Sequence, residues 1–190
     1  MTNKMFQDIT AEFATIAQQL CQSTVKVCSS SFGSGSGVIW RSDGVIITNA
    51  HVATHHRARV ELWDGRVCEA VRISIDPTQD LAVLKIAKTD LPVATIGNSD
   101  ALRAGELVLA VGNPFGDSGA VTSGVIHANK HYAVMADIQL FPGNSGGPLA
   151  DCQGRVIGIN TMIAHGLAIA IPSLTVEKFL HARHPIVEAI

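Results

Sequence analysis

The chain has 190 residues, of which 47% are hydrophobic and 16% charged, and 14 Lys/Arg against 16 Asp/Glu give a formal net charge of −2. That length fits one domain, or two small subdomains on a shared core, and the apolar share excludes a disordered chain because it can offset the entropy of folding. The near-neutral charge, with no long basic run, excludes phosphate-driven nucleic-acid binding, and no apolar stretch approaches the roughly 20 residues of a membrane span.

Residues Met1 to Gln7 lack the basic start and apolar core of a signal peptide. A cytoplasmic location is therefore expected for the chain as it stands, and a periplasmic or other extracytoplasmic one if it is a trimmed piece of a longer protein. Phe6, Ile9, Phe13, Ile16 and Leu20 follow at spacings of three and four, which puts them on one stripe of a helix. The stripe can pack on its own domain or serve as a contact between subunits. From residue 24 the pattern changes to short strands split by Gly, Asp and Asn. Strands are predicted at 25–28, 37–40, 45–48, 59–62, 66–75 and 81–86, with Asp64-Gly65 as a hairpin turn. After the polar stretch 97–101, a second group is predicted at 106–111, 121–127, 132–137, 155–160 and 167–171. The absence of strand–helix–strand alternation argues against a parallel α/β sheet, and two clusters of short strands suggest two small barrels or sandwiches. Ser173, after Pro172, is placed to cap a final helix.

The strongest chemical signal is Gly143-Asn144-Ser145-Gly146-Gly147-Pro148. A serine hydroxyl attacks a carbonyl only when a base takes its proton and donors await the developing oxyanion. A glycine-flanked loop suits both needs, since Gly143 can turn its backbone N–H inward. By itself the hexapeptide is also an ordinary turn. Thr48-Asn49-Ala50-His51 closes an apolar strand, and Asp80 opens another, so both side chains are held at strand ends. A buried aspartate needs a partner, and a histidine N–H is one. Singly, His51 reads as a surface histidine and Asp80 as a turn residue. Cys21, Cys28, Cys68 and Cys152 show no paired metal spacing and read as free thiols of a reducing compartment rather than as two disulfides. His51 and His55 are four apart, but position 52 is Val where a zinc-protease motif has Glu, so no metal is expected. His127, His131, His165, His181 and His184 read as surface or loop residues.

The order His51, Asp80, Ser145, together with Gly35-Ser36-Gly37-Val38-Ile39, Ile47-Thr48-Asn49-Ala50-His51-Val52, Asp80-Leu81-Ala82-Val83-Leu84, Gly112-Asn113-Pro114-Phe115-Gly116, Val121-Thr122-Ser123-Gly124, Gly158-Ile159-Asn160-Thr161 and Ala170-Ile171-Pro172-Ser173, resembles the trypsin-like serine proteases, and within them the HtrA/Deg group. The resemblance implies an all-β fold of two six-stranded antiparallel β-barrels, with an N-terminal helix over 1–22 and a C-terminal helix over 173–190. The first barrel would span 23–100 and carry His51 and Asp80; the second would span 101–172 and carry Ser145. It further implies Ser145 as nucleophile, His51 as general base and then acid, and Asp80 as the group that fixes the imidazole. Gly143, Asn144 and Ser145 would form the oxyanion hole, no cofactor would be needed, and the substrates would be unfolded or flexible polypeptides in protein quality control.

Several positions depart from relatives. Asn144 stands where digestive relatives carry Asp, and Gln139 where trypsin carries the aspartate that selects Arg and Lys. Gln139, Thr161, Met162, Ile163, Leu167 and Ala168 are expected to wall an apolar pocket for Val, Ile, Leu or Met side chains. The sequence stops just past the final helix, whereas HtrA proteins usually continue into PDZ domains, so a catalytic domain without a PDZ domain is expected, either because the protein lacks one or because the stretch at hand leaves it out. The helix at 6–20 resembles the region that helps HtrA proteins trimerise, and a homotrimer is expected. An α/β-hydrolase is rejected because its acid and histidine must follow the serine. The remaining alternative is a latent or non-proteolytic, chaperone-like binding module on a protease fold.

Overall fold

A strand with one apolar face covers one core; a strand apolar on both faces must lie between two. Several strands of this chain are of the second kind, and they determine how it is built. The computed structural model describes residues 2–30, 33–113 and 119–183. Pro114, Phe115, Gly116 and His184, and the last part of the expected C-terminal helix, lie outside the described residues.

Helix α1 (Thr2–Ser23) leads into β1 (Thr24–Ser30), β2 (Gly33–Arg41), β3 (Val45–Thr48), β4 (Arg57–Glu61), β5 (Val67–Asp76) and β6 (Leu81–Ile86). A second set follows: β7 (Leu107–Gly112), β8 (Ala120–Lys130), β9 (Ala133–Asp137), β10 (Pro148–Asp151), β11 (Val156–Ala164) and β12 (Leu167–Pro172), then helix α2 (Ser173–Arg183). Each set closes into a six-stranded barrel, in the order β1-β2-β3-β6-β5-β4 and β10-β11-β12-β9-β8-β7. Neighbouring strands are antiparallel throughout. The expected all-β, two-barrel fold with a helix at each end is the one observed. Two details differ. The four-residue strand β10 does not stand out in the sequence, because it starts at Pro148 directly after a glycine-rich loop. Strand β11 runs on to Ala164 and forms a hairpin with β12 across His165-Gly166, where both residues have positive φ, as a tight two-residue hairpin requires.

Three cores follow from side-chain alternation. Ile39, Ile46, Ala82, Leu84 and Ile86 point into the first barrel. Their neighbours Val38, Trp40, Val45, Ile47, Leu81 and Val83 point the other way, into a core between the barrels. Strand β7 divides likewise, with Val108 and Ala110 inside the second barrel and Leu109 and Val111 in the shared core. Burial on both faces explains why these strands read as unbroken apolar runs.

The two helices close the shared core. Leu20 is 2% exposed within it, with Phe13 and Ile16 packed against it, while Ile9, on the same stripe, is 48% exposed. The side chain of Phe6 lies outside the described residues. Val176 and Phe179 of α2 are buried in the same core, and Trp40 Nε1 donates to Glu177 Oε1 at 2.9 Å. Ser173 does not act as the expected cap, since its hydroxyl donates to Gly97 O at 2.8 Å. The linker supplies the cap instead: Leu174 N–H donates to Ser99 Oγ at 3.3 Å. All four cysteines are free thiols, with Cys68 buried and Cys152 exposed.

Leu20→Ala is expected to lower unfolding stability by about 2–5 kcal/mol, because a fully packed side chain leaves a cavity. Ile9→Ala should stay within about 0.5 kcal/mol. Denaturant unfolding of both variants measures the contrast, and equal losses would contradict the packing of α1.

Candidate active site

The register of β3 on β6 pairs Thr48 with Ala82, so the end of one strand lies beside the start of the other. His51, three residues past β3, and Asp80, one before β6, are therefore neighbours at one edge of the first barrel. Asp80 has φ +53°, a left-handed conformation that Asp tolerates better than most residues. Its carbonyl holds that turn by accepting Ala50 N–H at 3.1 Å and Asn49 Nδ2 at 3.0 Å. Its carboxylate accepts three donors: His51 N–H at 3.0 Å, His51 Nδ1 at 2.8 Å on the nearer oxygen, and Thr161 Oγ1 at 2.5 Å. Nδ1 therefore carries a proton toward Asp80, and Nε2 is the nitrogen left for chemistry.

The electrostatics follow from these contacts. The hydrogen bond that the imidazole donates to Asp80 raises the His51 pKa above its ordinary 6.5, against the opposing effect of burial, and the Asp80 charge adds to the rise. Burial pushes the Asp80 carboxyl up. The hydrogen bonds from the His51 ring, Thr161 and the His51 backbone, with the imidazole charge, outweigh it and hold the pKa below 3.8.

Ser145 comes from the second barrel, in the loop between β9 and β10. Asn144 N–H donates to Phe141 O at 3.0 Å and closes a turn with Pro142 and Gly143 at its centre. Gly143 has φ +108°, as the second central position of a type II turn demands and as few other residues adopt. Gly146 is left-handed too, with φ +85°, and a Cβ there would collide with the backbone of Ser36. Ser36 N–H donates to Ser145 O at 2.8 Å, and Ser36 Oγ donates to Gly143 O at 2.7 Å. Asn113 supports that hydroxyl, donating to it from both its N–H and Nδ2 at 3.0 Å. Asn144 is 2% exposed, and its Oδ1 accepts Phe141 N–H at 3.3 Å, so it braces the loop from behind. Among the described residues, the N–H groups of Gly143 and Ser145 have no protein acceptor.

Thr161 joins the two halves. Its hydroxyl donates to Asp80, and its carbonyl accepts Ser145 Oγ at 3.1 Å. The structure thus brings His51, Asp80 and Ser145 to one cleft. Among the described residues no hydrogen bond links Ser145 Oγ to His51, because the hydroxyl is turned to Thr161. A cavity of about 200 Å³ opens beside Ser145, walled by Thr161, Met162 and Ile163 on one side and by Leu140, Phe141 and Pro142 on the other. Of the six residues expected to line a pocket, three do so. Gln139 is exposed and contributes only its carbonyl, which accepts Thr122 Oγ1 at 2.8 Å. Ala168 points into the core of the second barrel, and Leu167 lies near the turn of the β11–β12 hairpin, away from this cavity. Among the described residues, no cluster of three or more His, Cys, Asp or Glu is arranged to hold a metal ion.

Two antiparallel barrels, with a His–Asp pair on one and a glycine-flanked serine loop on the other, define the trypsin-like class. The trypsin-like peptidase domain matches residues 35–159, and the chain belongs to that family. It is similar to serine protease HTRA1 of Xenopus tropicalis, with 42% identity over 80% of this chain and 36% of that protein. Mitochondrial serine protease HTRA2 of Bos taurus is 41% identical over 77% of this chain and 35% of its own length. A probable periplasmic serine endoprotease DegP-like of Chlamydia pneumoniae is 41% identical over 77% of this chain and 33% of its own length. The resemblance to the HtrA/Deg group read from the sequence therefore holds, and the matched part spans about a third of these relatives.

Two outcomes are expected. The His51 imidazole should titrate above 6.5 in an NMR pH series, and Asp80→Asn should move it down, since that substitution removes the leading cause of the rise. Ser36→Ala should cost about 1–3 kcal/mol in thermal unfolding, because it strands the half-buried carbonyl of Gly143 and the buried donors of Asn113.

Proposed function

We propose that this chain is a serine endopeptidase domain that cuts peptide bonds in unfolded or flexible polypeptides through an acyl-enzyme intermediate. The observation that carries the reading is the Asp80–His51 pair joined through Thr161 to Ser145, beside two N–H groups with no acceptor among the described residues. A substrate strand lies along the edge of β11 beyond Ile159, where pairing with β10 has ended and pairing with β12 continues on the other side only. The backbone N–H of the substrate residue before the scissile bond takes the Thr161 carbonyl. Ser145 Oγ then rotates to His51 Nε2, gives up its proton and attacks the scissile carbon. The oxyanion receives the N–H groups of Gly143 and Ser145, each such donor being worth about 3 kcal/mol. Imidazolium, stabilised by Asp80, protonates the leaving amine. Water enters, His51 takes its proton, and the ester is hydrolysed.

The pocket beside Ser145 is apolar at Leu140, Phe141, Met162 and Ile163 and has no acidic side chain among the described residues, which supports Val, Ile, Leu or Met before the cut rather than Arg or Lys. Relatives named as periplasmic proteases support an extracytoplasmic quality-control role. The exposed Ile9 on the outer part of α1 supports assembly into a homotrimer through that helix. One observation favours the alternative of a latent or chaperone-like module, namely that Ser145 rests on Thr161 and not on His51.

A fluorophosphonate probe read by intact mass separates the two. One adduct on the wild type and none on Ser145→Ala is expected, with casein cleaved only by the wild type. No adduct on folded wild type would establish the latent reading. Asp80→Asn should lower kcat about 10⁴-fold, as loss of the orienting carboxylate does in such triads. The base works only when neutral, so kcat/KM should rise with pH through the His51 pKa, giving an acid limb above 6.5. A peptide-library profile dominated by Arg or Lys would contradict the pocket assignment.

A further inference from the structure

A second cavity, of about 330 Å³, lies on the other side of Met162 from the one beside Ser145. Thr161 and Met162 border both. Met135 and Ile169 give the second cavity an apolar floor, while Gln79, Lys130 and Tyr132 form its outer part. The last two come from the tip of the β8–β9 hairpin, in the second barrel; Gln79 comes from the first. Lys130 Nζ sits 5.8 Å from the centre of the Tyr132 ring, a cation–π contact, and makes no ion pair among the described residues. Asp80 also borders the cavity, but its carboxylate is engaged by His51 and Thr161. Tyr132 is 74% exposed, and Met162 and Ile163 are 56% exposed each, so large apolar side chains gather at this end of the cleft.

We propose that this cavity is a subsite for a substrate residue upstream of the scissile bond, and that it selects an acidic side chain. The inference rests on the endopeptidase reading. A substrate strand antiparallel to the free edge of β11, with its cleaved residue at Thr161, carries its upstream residues past Met162 and Ile163. Its side chains alternate from one side to the other, so a residue that does not share the first pocket faces the second. The methylenes of a glutamate lie against Tyr132 and Met162, and its carboxylate meets Lys130 at the rim, a cation with no ion pair among the described residues.

The test uses the full chain and peptides identical except for Glu, Gln or Lys at the second, third or fourth residue before the cut. Dissociation constants are read by fluorescence anisotropy on Ser145→Ala, and kcat/KM on wild type, Lys130→Gln and Lys130→Glu. At one of these positions wild type should favour Glu over Lys by about fivefold, with Gln between, as for a partly exposed ion pair. The ratio should shrink at about 1 M salt and reverse in Lys130→Glu. Equal rate constants for the three peptides at every position would overturn the subsite and leave the endopeptidase standing. An order unchanged in Lys130→Glu would remove Lys130 from it. Glu-selective binding without cleavage by the wild type would overturn the endopeptidase and leave a peptide-binding site, and neither binding nor cleavage would overturn both.

Discussion

Ser36 is where the two barrels are fastened at the cleft. It is fully buried, and its polar atoms all reach other elements. Its N–H goes to Ser145 O, its hydroxyl donates to Gly143 O, and the same oxygen accepts from Asn113. Its carbonyl accepts Thr48 Oγ1, close to the end of β3 and to His51. One residue of the first barrel thus positions both the Ser145 loop of the second and the strand that leads to His51. A hydroxyl with its donor and both acceptor places used holds one orientation, and a buried network with every member satisfied is rigid.

That fastening works because the strands around it cannot slide. A shift of one residue in β3 or β6 would swap the residues of the first barrel core with those of the shared core. Ile46 and Ile47 are both fully buried, so either error would misplace large side chains in two cores at once. His51 and Asp80 inherit this fixed register from their strand ends. The loop of Ser145 has no such strand of its own and takes its shape from turn chemistry at Pro142-Gly143 and from hydrogen bonds to Ser36 and Asn160.

The strands buried on both faces were legible in the sequence because they leave unbroken apolar runs, and His51 and Asp80 were legible as polar residues at their ends. Ser145 was legible through its glycines, which mark backbone that other residues resist. Strand β10 was not, since four residues give no period and Pro148 hides its start. Half of the pocket wall was not either. Leu140, Phe141 and Pro142 face Ser145 only because the loop folds back, which no local pattern records. Ala168 pairs with Ile163 across the β11–β12 hairpin, and such pairing makes two residues neighbours along a sheet without aiming both at one cavity, so Ala168 ends in the barrel core. The double role of Thr161, hydroxyl to Asp80 and carbonyl to Ser145, depends on contacts 81 and 16 residues apart in the chain.

The cleft straddles a seam. Each barrel has its own interior, while the catalytic candidates are divided between the two and meet through a handful of hydrogen bonds and a core that both share. Subglobal opening along that seam would separate Ser145 from His51 while leaving both barrels hydrogen-bonded. Chemical competence is then the first property to disappear as denaturant rises, ahead of the far-ultraviolet signal of the strands, and the first to be tuned by anything that grips both barrels at once.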